Sequence, residues 1–128
     1  MPMFYWDTVV DGIDVPDDPQ VDDYFVQATL PVNPGDWYFT IDNWASVPVR
    51  LVPLGAIHIE QDHVTRAGII HHLHGYSSDS GMPPWITLYN GEYYLHDGTH
   101  RAYVAALCGE DFLEAHVIDL RDWIHPYA

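Results

Sequence analysis

The chain has 128 residues, is 48% hydrophobic, and carries 19 acidic residues against four Arg and no Lys, for a formal net charge of -15. That length allows one domain with one core, and a surface so negative repels phosphates, which counts strongly against general DNA or RNA binding. Three readings of the charge are left: solubility, a high-salt habitat, or an acidic surface for a basic protein. No apolar run approaches the ~20 residues that cross a bilayer. The N-terminus lacks the basic and apolar segments of an export signal, and the lone Cys108 has no internal disulfide partner, so a cytoplasmic setting away from membranes is expected.

Residues 1–36 hold eight Asp, five of the ten prolines and no basic residue. Their stretch 11–23 (DGIDVPDDPQVDD) is too poor in apolar residues to fold alone. Aromatics at Phe4, Tyr5, Trp6, Tyr24 and Phe25 flank it, so residues 1–36 are expected to form an acidic arm packed on a domain of residues 37–128. Residues 37–41 (WYFTI) predict a strand. Residues 47–54 (VPVRLVPL), with two prolines, predict an edge strand. Apolar spacing over 60–73 predicts a helix, with Gly75 as its stop. Residues 76–84 read as a loop. Residues 85–89 and 92–96 form a hairpin around Asn90-Gly91. A helix is expected over 99–108, a strand over 115–118 and a helical turn over 120–124. The order is α+β: a small mixed sheet with packed helices.

The segment Asp97-Gly98-Thr99-His100-Arg101 joins a strand to a helix. Gly98 can take a backbone conformation that other residues resist. Thr99 suits the helix start, where unpartnered amides and the dipole favour an anion. Arg101 adds a planar cation, and His100 can donate or exchange a proton. Asp97 could hold Mg²⁺ or act as a base. The plainer reading is a common Asp-Gly turn whose side chains cap and brace the helix.

Residues 93–109 (YYLHDGTHRAYVAALCG) resemble the signature of the ParB/sulfiredoxin superfamily, in which a strand ends in a DGxHR-like or GxxR-like turn before an alanine-rich helix. Residues 49–59 (VRLVPLGAIHI) look like that family's opening strand, and 112–118 like its closing one, so the resemblance spans roughly residues 47–120. The nearest pattern is that of free serine kinases, with an acidic pair opening the first helix and a D-G-H-T-R turn. Here the counterparts are Glu60-Gln61-Asp62 and the 97–101 turn, with Thr and His in reverse order. The resemblance implies phosphate binding by Gly98, Thr99, His100 and Arg101, a metal at Asp97, and catalysis by Asp97, His100 and Glu60. The implied cofactors are ATP or another NTP with Mg²⁺. The sulfiredoxin cysteine is missing from the turn, as are the basic DNA-binding features of the partition proteins, so neither activity is expected.

Nine His invite a metal reading, yet their spacing matches no zinc signature. His71, His72 and His74 fit a helix end, where the dipole favours them. Tyr93, Tyr94 and Tyr103 read as core or half-buried sheet residues, and Cys108 as a small buried side chain. Two functions follow. The first is a small enzyme, a kinase-like phosphotransferase or NTPase, that binds a small-molecule nucleotide at the 97–101 turn. The second is a catalytically inactive acidic binding or inhibitor protein, a possible nucleic-acid mimic, that engages a basic protein partner. The intact turn puts the enzyme first; the missing lysines and the Asp-dense arm favour the second.

Overall fold

The computed structural model describes residues 9–10, 12–61, 63–73 and 83–122. The expectations for the aromatics at 4–6, Asp62, the helix stop at Gly75, the loop over 76–82 and the chain beyond 122 lie outside them. Strands β1 (Val9–Val10) and β2 (Ile13–Asp14) pair as a small antiparallel ribbon. The main sheet has β3 (Val26–Gln27), β4 (Val49–Pro53), β5 (Ile57–Ile59), β6 (Trp85–Tyr89), β7 (Glu92–Asp97) and β8 (Phe112–Asp119), in the spatial order β3-β5-β7-β6-β8-β4. The described helices are α1 (Ile41–Ala45), α2 (Arg66–Leu73) and α3 (Thr99–Leu107). The class is α+β with a mixed sheet: β5 runs parallel to β7 and β6 to β8, whereas β6–β7 and β4–β8 are antiparallel.

The β6–β7 hairpin forms where Asn90-Gly91 predicts it. Both residues take positive φ, 50° and 79°, as a tight two-residue turn requires. That turn sets Thr87 opposite Tyr94 and Ile86 opposite Leu95. Side chains alternate across a strand, so the sheet has two apolar faces. One packs Ile86, Leu95, Leu113, Ala115 and Val117 against Ile69 and Ile70 of α2 and Ala102 and Tyr103 of α3. The other carries Ile118 and half-buried Trp85 beneath Tyr38 and Trp44. The described part of residues 1–36 enters the first core through Val15, Val21 and Phe25, and β3 extends the sheet beside β5.

Two expectations change, and one strand appears that the sequence did not signal. Residues 37–41 are not a strand: a 3-10 turn at Asp36–Phe39 leads into α1. The buried pair Tyr38 and Trp44 lies six residues apart, and Thr40 Oγ1 accepts the Asn43 N–H, so local capping overrides the β-forming side chains. The helix expected from residue 60 starts only at Arg66. Thr65 Oγ1 accepts the Gly68 N–H at 3.0 Å as a first-turn cap, and Glu60 and His63 upstream are held by other segments. Finally, β5 is a strand of three residues, Ile57–Ile59, too short for a periodic signal.

Candidate functional site

At the 97–101 turn the chain leaves β7 and enters α3. Gly98 has φ 97°, and the first helical bond runs from the Ala102 N–H to the Gly98 carbonyl at 3.0 Å. A Cβ on Gly98 would lie 2.7 Å from Cβ and Cγ of Pro84, so close approach as well as positive φ requires glycine here. Thr99 is buried beneath the helix start, and Asp97 is exposed at the end of β7. Arg101 is half-buried and lines a shallow groove with His72, Val104, Ala105 and Cys108. Cys108 itself is exposed, not buried as expected, because it is the residue that ends α3.

His100 points to α2. Its Nε2 accepts the Thr65 N–H at 3.0 Å and lies 3.2 Å from Thr65 Oγ1. Its ring covers Gly68, where a Cβ would lie 2.3 Å from Cδ2. It also stacks on His72, with centroids 6.1 Å apart and an interplanar angle of 14°. An N–H can donate to Nε2 only while that nitrogen keeps its lone pair, so His100 is held neutral. Burial first, then the charge of His63, lower its pKa. Burial lowers His72 further, to about 4, helped by His100, His71 and Arg101.

Glu60 stands just past β5 and is engaged at both oxygens. Oε1 accepts the Leu30 N–H at 3.0 Å, and Oε2 lies 3.5 Å from His96 Nδ1. Nε2 of His96 is 2.6 Å from Thr87 Oγ1, which is itself 2.6 Å from the Tyr38 hydroxyl. One direction of donation satisfies the whole chain, from Tyr38 to Thr87 to His96 to Glu60. Burial pushes the Tyr38 hydroxyl up to about 12, which keeps it a donor. Burial also lowers the pKa of His96, against the opposing pull of Glu60.

Carboxylate, imidazole and hydroxyl stand here in the order that activates a nucleophile. Yet Thr87 is 0% exposed, and Tyr38, Phe39 and Trp44 close over the chain. The arrangement ties the 28–40 segment to the sheet. Sequence reading missed Tyr38, Thr87 and His96 as a unit. The signal was the Asn90-Gly91 turn, whose register puts Thr87 and His96 on one face, one pleat apart.

The acidic arm is fastened by its own charges. Asp17 pairs with Arg66, and Asp23 Oδ2 accepts the Tyr103 hydroxyl at 2.8 Å and the Gln20 N–H at 3.0 Å. Among the described residues, no three His, Cys, Asp or Glu side chains converge to hold a metal ion. No described helix is long and apolar enough to cross a membrane.

A protein-family model described as antitoxin VapB-like matches residues 27–122. The comparison with curated proteins found no match. Among solved structures the chain is similar to the crystal structure of sulfiredoxin from Arabidopsis thaliana, with 14% sequence identity and a TM-score of 0.49. That match covers 56% of this chain and 85% of that one. The family match overturns the expectation of a nucleotide-binding phosphotransferase or NTPase, because the family that covers the 97–101 turn is described by antitoxin function.

Proposed function

The chain belongs to the VapB-like antitoxin family, and from that premise we propose that it works by binding a basic toxin protein, not by catalysis. The family match over residues 27–122 carries this reading. Charge supports it. Of the four Arg, Arg66 and Arg121 are paired with Asp17 and Asp119, so the field around the molecule is dominated by its 19 acids. Such a field speeds encounter with a positively charged surface and disfavours like-charged partners. A toxin that handles nucleic acid needs a basic surface, and this protein would cover that surface by charge complementarity.

Engaged side chains support the same reading. His100 is bonded to Thr65, and Glu60 to Leu30 and His96, so these groups serve the fold. The test is reconstitution: the tagged chain is isolated from its host, each co-purifying protein is expressed alone, and binding is measured by calorimetry. A stoichiometric complex with a basic protein, weakening steeply between low and physiological salt, is the expected result. A partner that is acidic, or binding indifferent to salt, would count against it.

A further inference from the structure

We infer that the partner docks on the aromatic knob formed by Trp37, Phe39 and Ile41. This deepens the toxin-binding reading and rests on it for the kind of partner. Three large apolar side chains lie exposed within five residues: Trp37 at 40%, Phe39 at 40% and Ile41 at 65%. Scattered single exposures are ordinary, but two aromatics and an isoleucine exposed within five residues concentrate apolar surface at one place in the chain, as interaction surfaces do. Trp in particular is enriched among the residues that dominate binding energy.

The knob is held rigid. Tyr38 and Trp44, both 0% exposed, anchor it from beneath, with their rings edge to face at 5.3 Å. Asn33 Oδ1 accepts the Gly35 N–H at 3.0 Å, and the Asn43 side chain donates to the Trp37 carbonyl. Ser46 Oγ donates to the Asn43 carbonyl at 2.6 Å, and Phe39 packs edge-on against His96 at 5.0 Å. A surface braced this way loses little conformational freedom on binding.

Charge names the occupant. Asp36 and Asp42 flank the knob, both exposed, and the sequence has no Lys or Arg before Arg50. An apolar centre with an acidic rim fits a basic protein surface with an apolar centre. A second copy of this chain would bring the same acids face to face. The Asp-rich stretch of the arm differs, since Asp17 and Asp23 are engaged in holding it to Arg66 and Tyr103.

The test titrates the isotope-labelled full chain with two probes. One is an amphipathic helical peptide with Leu and Trp on one face and Lys on the other; the second is oligolysine of equal charge. The amphipathic peptide is expected to shift amide signals around residues 35–45. Its binding should weaken about tenfold in Trp37→Ala and in Ile41→Ala, both folded by thermal melt, and stay unchanged in Asp14→Asn/Asp22→Asn. Shifts centred on residues 14–23, equal affinity in the apolar variants, or no binding at all would overturn the proposal. So would a dimer by sedimentation that Trp37→Ala dissociates, because the occupant would then be a second copy. None of these readouts uses a toxin, so the docking surface and the antitoxin reading can fail separately.

Discussion

Nε2 of His100 accepts the backbone N–H of Thr65 at 3.0 Å, which ties the first turn of α3 to the residue that caps α2. The side chain that the sequence marks for a phosphate is thereby a bridge between two helices. His100→Ala should cost about 0.5–1.5 kcal/mol in urea unfolding, the net worth of an ordinary hydrogen bond, since water can reach the exposed Thr65 N–H once the ring is gone. Gly68→Ala should destabilise as well, because its methyl would displace the His100 ring. A wild-type unfolding curve from both variants would show that the bridge contributes nothing.

Thr87 sits between Tyr38 and His96 with no exposure. Thr87→Val keeps its shape and removes its hydroxyl, leaving two buried polar groups without their partner. A loss of about 1–3 kcal/mol is expected, with faster hydrogen exchange across residues 36–45. Exchange unchanged in that segment would show that the chain of hydroxyls does not hold the knob.

Glu60→Ala removes the acceptor of the Leu30 N–H and the neighbour of His96. Exchange at Leu30 and Ala28 should quicken while amides of α3 keep their protection, because the carboxylate fastens residues 28–30 beside β5. Loss of protection in α3 instead would place Glu60 in a different role.

Stability should fall on acidification. His72, His96 and His100 all have folded pKa values below the ordinary 6.5, so the unfolded chain binds more protons. Their contribution is fully present above about pH 6.5 and is lost as pH falls through the folded values, about 4 for His72. The cause is mutual: protonating His100 abolishes its acceptor for Thr65 and sets charge beside His72 and His63. Thermal melts from pH 7 to 4 should show the midpoint dropping, and less so in a His72→Phe variant. A midpoint that rises over that range would contradict the assignment.

The hairpin, the edge strand β4 and helix α3 were legible because Asn90-Gly91, paired prolines and Gly98 act locally. The strand expected at 37–41 was not there, because aromatic and β-branched content cannot distinguish a pleated surface from a capped turn anchored by Tyr38 and Trp44. Glu60 was legible as an important carboxylate, but its partners, Leu30 and His96, are 30 and 36 positions away along the chain, and only the sheet order brings them together. The 97–101 turn was found where expected, yet its spacing could not reveal that His100 already has a partner. The expectation of a protein partner agrees with the family match, whereas the enzyme reading of the turn does not.

The most direct measurement is growth rescue. The basic partner recovered from the host is induced alone in a test strain, then together with this chain or with a Trp37→Ala/Ile41→Ala double variant. Growth arrest by the partner alone, relief by the wild-type chain through a stoichiometric complex, and weaker relief by the variant are the expected results. A partner whose toxicity persists in the presence of equimolar wild-type chain would contradict the antitoxin reading.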